Sequence, residues 1–207
     1  MNIPSKLFED AVEAFSSLPG IGKKSALRLV LHLLNKEKEF AFQFTEAIKT
    51  FRANIKSCKV CANISDEDVC EICQHPGRDH KTICVVENIR DLMAIESTGL
   101  YRGVYHVLGG VISPIDGVGP DQLNIRSLLD RADTGEINEI IMAISPTIEG
   151  ETTIYYLSKQ LESKLDLITQ IARGVSFGGE LEYADELTLA RSIADRQPYS
   201  KNMTSTG

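Results

Sequence analysis

The chain has 207 residues, 43% of them apolar and 25% charged, which fits one globular domain or a few small ones. No stretch approaches the ~20 apolar residues that cross a bilayer as a helix, so a helical membrane protein is excluded. The formal charge is −7, yet residues 1–60 hold ten Lys/Arg against six Asp/Glu, and residues 61–207 hold twelve against twenty-three. A basic first third on an acidic body suits one face for an anion and another for a basic protein. It equally suits the ordinary variation of charge along a soluble chain.

Met1 to Lys6 lacks the charged head and apolar stretch of a signal peptide, so a cytoplasmic location is expected. Disulfides rarely persist there, and the five Cys need another explanation. Ser5 reads as a helix N-cap, followed by Leu7, Phe8, Ala11, Val12 and Phe15 at helical spacing. Leu18-Pro19-Gly20-Ile21-Gly22 breaks that helix. A second helix is predicted from about Lys23 to Leu34. A third carries Phe40, Phe44, Ala47, Ile48, Phe51 and Ile55. The first 55 residues thus form a helical unit.

The Gly-x-Gly turn lets backbone approach an anion, and the helix after it begins with open N–H groups and a positive dipole end. Lys23, Lys24 and Arg28 add charge beside it, the last two one turn apart on a shared face. This turn resembles the helix-hairpin-helix motif, which grips DNA phosphate without reading bases. The plainer alternative is an interhelical turn with exposed lysines.

Residues 56–80 are polar and hold Cys58-x2-Cys61 and Cys70-x2-Cys73. Two such knuckles supply the closed tetrahedral sulfur shell that Zn2+ accepts, leaving no place for water, so a zinc here is structural. So short a module cannot build its own core, and the metal supplies its folding energy. A pair of redox motifs fits this polar, Gly-poor loop less well. His75 and His80 read as surface or supporting residues, and Cys84 as a core thiol.

From Thr82 onward strands alternate with helices. Ile83–Val86, Val104–Leu108, Ile140–Ile144 and Ile168–Ile171 are apolar runs, with helical patterns at 89–97, 122–132 and 150–165. An α/β fold with a parallel sheet covered on both faces follows. Gly109–Pro120 holds four Gly and two Pro and reads as a flexible surface loop of functional length. Leu181-Glu182-Tyr183 reads as a short strand, 186–196 as a helix, and 200–207 as a frayed tail.

Val85-Val86-Glu87 and Ser145-Pro146-Thr147-Ile148-Glu149-Gly150-Glu151 end two strands at the carboxyl edge of that sheet, where α/β domains place their sites. This arrangement resembles the Toprim domain, whose Asp-x-Asp binds Mg2+ for phosphodiester chemistry. Ser145 and Thr147 occupy the two Asp positions, which leaves a hard cation too few anionic ligands. Glu87, Asp91 and Glu149 remain as an acidic patch, or as a solvated carboxylate cluster.

In that order, and followed by Gly174-Val175-x-x-Gly178-Gly179-Glu180-Leu181-Glu182-Tyr183, these motifs together resemble the RecR family of bacterial recombination mediators across nearly the whole chain. The resemblance implies four parts: a helix-hairpin-helix unit at 1–55, a zinc module at 56–80, a Toprim-like domain at 81–172, and a Walker-B-like C-terminal segment at 173–207. No Walker A loop accompanies that segment, so no nucleotide is expected. It further implies a non-enzymatic scaffold for DNA repair that assembles as a ring, commonly a homotetramer, and acts with RecO and RecF to place RecA on single-stranded DNA. By the same resemblance, DNA contacts fall on Lys24 and Arg28, with Lys23, where the family often has Pro, as a further candidate. Contacts to RecO fall on Glu87, Asp91 and Glu149. The alternative is a Toprim-type metal-dependent nuclease or primase with an altered ligand set.

Overall fold

A computed structural model describes residues 5–175, 178 and 180–196. The chain divides into two compact units, Met1–Lys56 and Ser57–Gly207.

The first unit holds helices α1 (Lys6–Ser16), α2 (Lys23–Leu34) and α3 (Lys38–Asn54). Ser5 takes the N-cap position in extended backbone, although its hydroxyl makes no capping bond. Val12 of α1 meets Ala26 and Val30 of α2 in a small core, joined by Phe8, Phe15 and Leu27. These are the apolar positions of the two helical repeats, turned inward. Helix α3 has the predicted period yet buries none of its residues. Phe44 stacks back on Phe15 with ring centroids 6.3 Å apart, and Phe40 meets His32 of α2 edge-on at 6.5 Å.

After the three helices comes a short ribbon of β1 (Lys56–Ser57) and β2 (Ile64–Ser65), then the turn of helix α4 (Glu71–Gln74). Next come β3 (Asp79–Val86), α5 (Ile89–Glu96), β4 (Gly103–Val107), α6 (Ile125–Ala132), β5 (Glu139–Ala143), α7 (Ile148–Leu161) and β6 (Leu167–Gln170). The four longer strands form a parallel sheet in the order β4-β3-β5-β6. Alternate residues face opposite ways. Ile83, Val85, Val104, Ile140 and Met142 point to one face, which α6 and α7 cover with Leu128, Leu157 and Leu161. Cys84, Val86, Tyr105 and Val107 point to the other, against Leu92 of α5 and against Ala62 and Ile72 of the cysteine module. Both faces are covered, which is why the strands read as continuous apolar runs rather than alternating ones.

Strand β4 lies at the edge, and several of its outward groups are engaged. The Val107 N–H donates to the Cys61 carbonyl at 2.8 Å. Asn124 Nδ2 donates to Val107 O at 2.9 Å, and Arg131 Nη1 to Tyr105 O at 2.8 Å. These contacts cover the far end of the edge strand.

Two expectations are corrected. Gly109–Pro120 is not loose, although its tip at 114–117 lies on the surface. Ser113 and Val118 bridge each other in antiparallel fashion, Ile112 and Ser113 are buried, and the Ile112 N–H donates to the Thr153 hydroxyl of α7 at 2.8 Å. Its glycines set turns, Gly109 at φ +88°, instead of loosening the chain. Leu181–Tyr183 is a turn of 3-10 helix instead of a strand, because three residues without a partner strand have nothing to pair with. Helix α8 (Glu186–Ala194) follows, capped by Asp185, whose carboxylate accepts the Thr188 N–H at 2.9 Å. The expected tail at 200–207 lies outside the described residues. Among those residues no helix is long and apolar enough to cross a membrane.

Candidate functional site

The Leu18–Ile21 turn is closed by the Ile21 N–H donating to Leu18 O at 3.1 Å. Pro19 and Gly20 fill its two central positions, and Gly20 sits at φ +80°, a conformation that an L side chain resists. Gly22 then takes the N-cap place of α2, and no side chain caps the helix. A Cβ at Gly22 would meet no atom within 4 Å. The N–H groups of the first turn, from Lys23 to Ser25, face that open space with no acidic residue among them. Lys23, Lys24 and Arg28 are all exposed beside it. An anionic oxygen brought here meets backbone donors, a positive helix end and three cations at once.

The four cysteines converge. The sulfurs of Cys58, Cys61, Cys70 and Cys73 all lie within 4.8 Å of one another, and Cys61 Sγ and Cys70 Sγ are 3.5 Å apart. Each knuckle is a tight loop. In the first, the Ala62 N–H donates to Cys58 O at 2.9 Å and the Cys58 N–H to Asn63 O at 2.7 Å, with Ala62 at φ +60°. The second reaches back, its Cys70 N–H donating to Cys58 Sγ at 3.3 Å. Burial pushes the Cys58 thiol up, but the N–H groups of Cys70, Cys61 and Val60 outweigh it and bring it to about 7. The Cys73 side chain and burial push Cys61 up, and burial pushes Cys70 to about 11. Four thiolates so close together, three of them buried, repel one another unless a cation sits among them. The donor set fits Zn2+, which when bound closes the coordination sphere and fixes the knuckles without offering a reactive position. Among the described residues this is the only group of three or more Cys, His, Asp or Glu side chains close enough to hold a metal. His75 and His80 stay outside it: His75 Nδ1 accepts the Gly77 N–H at 3.0 Å, and His80 Nε2 lies 3.2 Å from His75 O. Cys84 is buried in β3, where burial pushes its thiol up to about 12.

The carboxyl edge of the sheet carries the remaining candidates. Glu87 follows β3 and is half-buried. Asp91 is committed to its own helix. Its carboxylate accepts the Asn88 N–H at 3.2 Å, while Asn88 Oδ1 accepts from Arg90 and Asp91, a reciprocal cap of α5. At the end of β5, Thr147 caps α7 by accepting the Gly150 N–H at 3.0 Å. Glu149 lies in the first turn of α7, at the same edge. Gly150 is required by space: a Cβ there would lie 2.0 Å from Ser145 O. Glu151 pairs with Arg173 just beyond β6, so this carboxylate is already neutralised by a cation. The edge also borders a cleft of about 430 Å³ lined by Ile144, Pro146, Arg173, Asp185, Leu187 and Arg191. The structure therefore brings Glu87, Asp91 and Glu149 to one edge of the sheet without gathering them into a metal-holding group. Sequence reasoning missed Arg173, because a pair 22 residues apart, one member on α7 and the other beyond β6, leaves no local pattern.

Family comparisons cover the chain part by part. Residues 8–52 match the RecR helix-hairpin-helix, 55–75 the four-cysteine zinc finger domain of RecR, 81–172 the Toprim domain, and 174–197 the RecR C-terminal family. Recombination protein RecR of Flavobacterium johnsoniae is 57% identical over 201 residues, 97% of this chain and 98% of its own length. The same protein of Cytophaga hutchinsonii is 57% identical over 197 residues, covering 95% and 96% of the two chains. That of Bacteroides thetaiotaomicron is 56% identical over 193, covering 93% and 94%. With its four-cysteine cluster, parallel sheet and helical unit in the order those comparisons require, the chain belongs to the RecR family of recombination proteins, with a role in recombinational DNA repair.

Proposed function

We propose that the chain is a non-enzymatic scaffold that holds DNA through Lys24 and Arg28, with Lys23 beside them, and works in the cytoplasm with RecO and RecF to load RecA on single-stranded DNA. The observation that carries this reading is the uncapped start of α2 behind the Gly20 turn, with its cations exposed around open N–H groups. Such a grip is made to phosphate and is blind to sequence, which suits a mediator that must act on any damaged strand.

The acidic edge fits a second role. With Ser145 and Thr147 at the two Asp positions and Glu151 paired to Arg173, the carboxylates left over are Glu87, Asp91 and Glu149. They suit a basic protein partner, by resemblance RecO, drawn in over a Debye length of ~8 Å at physiological ionic strength. The exposed aromatic side of α3 suits contact with a second copy, in keeping with a ring of several chains.

The test combines two variants. Lys24→Ala with Arg28→Ala should weaken DNA binding alike for all sequences and leave partner binding intact. Glu149→Lys should do the reverse. A double alanine variant that is folded and binds DNA as well as the original chain would sink the DNA assignment. Mg2+-dependent strand cleavage or synthesis by the original chain, lost in Glu149→Lys, would instead establish a Toprim-type enzyme.

A further inference from the structure

Arg131 is a half-buried cation whose surroundings lack the usual partner. It projects from the last turn of α6 toward the edge of β4. Nη1 donates to Tyr105 O at 2.8 Å and lies 3.2 Å from His106 Nδ1. The His106 ring is buried, and its Nε2–H donates to Asn124 O at 2.8 Å, so Nδ1 is left as an acceptor and the imidazole carries no charge. Nε and Nη2 of Arg131 make no hydrogen bond among the described residues, and no carboxylate pairs with it there. A buried cation without an anion is costly, so some negative charge is expected close by.

The negative charge lies along the same strand edge. Val107, two residues beyond Tyr105 on β4, donates to the Cys61 carbonyl, so the first cysteine knuckle sits about 7 Å along the edge from the guanidinium's anchor. Four thiolates around a divalent zinc carry a net charge of about −2. Burial lowers the Arg131 guanidinium from its ordinary value, and the groups that oppose this most are Cys73, Cys61 and Cys58. The sulfur cluster is thus the anionic neighbour of this cation.

We propose that Arg131 is the counter-charge of the zinc–tetrathiolate centre, holding the metal tightly from the neighbouring sheet and docking the module on the β4 edge. Zinc retention is then a property of the α/β body as well as of the four ligands. The module's own sequence hides this, because the residue that serves it stands 58 positions after Cys73.

The test uses the full chain loaded with one zinc, and reads metal loss to a competing chelator. Arg131→Gln removes the charge and keeps a donor. It should lose zinc about 10- to 100-fold more readily, as outer partners of metal sites commonly do when replaced. Arg131→Lys keeps the charge and should stay within about threefold of the original chain. Asn124→Ala removes a neighbouring bond to the same strand edge without touching charge, and should leave zinc retention unchanged. Equal retention in Arg131→Gln and the original chain overturns the proposal, as does equal loss in Arg131→Gln and Asn124→Ala, which would mark an edge clasp indifferent to charge. If Arg131→Gln does not fold, Arg131→Lys decides alone: retention near the original supports the proposal, and loss beyond tenfold overturns it.

Discussion

The two units solve the burial problem in opposite ways. The α/β body packs both faces of its sheet, covers part of its edge strand and gathers four cysteines, and it hides Tyr105, Leu108, Leu128 and Ile140 completely. Among its described residues the helical unit buries only Val12, Ala26 and Val30, and it leaves Phe42 64% and Phe51 58% exposed on α3. A small unit with so little core depends on what it touches. The contrast teaches a division of labour. Substitutions in the buried core of the body should therefore act on folding, and substitutions on the exposed faces of the helical unit should act on association and DNA.

The sharpest way to separate the two is to take the metal. Stripping zinc, or replacing Cys61 with Ser, should cost about 10 kcal/mol of the module's folding free energy. Hydrogen exchange should report it as lost protection at the Val107 amide, which rests on Cys61 O. Protection of α1 and α2 should stay as it was. A Val107 amide unchanged without zinc would break the account of the module as metal-folded.

Gly150→Ala drives a Cβ into the Ser145 carbonyl and should destabilise the body by about 3 kcal/mol in denaturant unfolding. A neutral result would mean that α7 shifts freely on the sheet.

The body's stability should also depend on pH through His106, which burial pushes down to about 4 from an ordinary 6.5. A depressed pKa means that the unfolded chain binds the proton first. The stabilisation is then complete above pH 6.5 and falls away as pH drops from there toward 4, by up to about 3 kcal/mol. Replacing His106 with Asn should remove that slope from a stability–pH curve, and a slope that survives belongs to another group.

The smallest effect belongs to the helical unit. Phe42→Ser with Phe51→Ser should leave the fold within about 0.5 kcal/mol, as surface changes do. Self-association measured by sedimentation should weaken roughly tenfold, near 1.4 kcal/mol. Association untouched by both changes would return these rings to ordinary exposed residues.

Much of this was legible before the structure. Buried parallel strands announce themselves as apolar runs, so Ile83–Val86 and Ile140–Ile144 fell within β3 or within a residue or two of β5. The two knuckles carry their ligand geometry in their spacing, and the Pro-Gly turn carries its φ requirement in its composition. What sequence could not carry was long-range commitment. Gly109–Pro120 looked loose because Thr153, which holds it, lies on a distant helix. Thr147 read as a lost Asp, whereas its hydroxyl now caps α7. Nothing near Glu151 in sequence shows that Arg173 pairs with it. Arg131 gave no signal at all, since its partners are a strand edge and a sulfur cluster from other parts of the chain.

The central claim is that this chain grips DNA backbone at the start of α2. The most direct test is the salt dependence of DNA affinity for the original chain and for Lys24→Ala with Arg28→Ala. Each lost phosphate contact should lower the slope of log affinity against log salt by roughly 1, so the pair should lower it by about 2 and weaken binding equally across unrelated sequences. An unchanged slope in a folded double variant would place the DNA elsewhere and contradict the account.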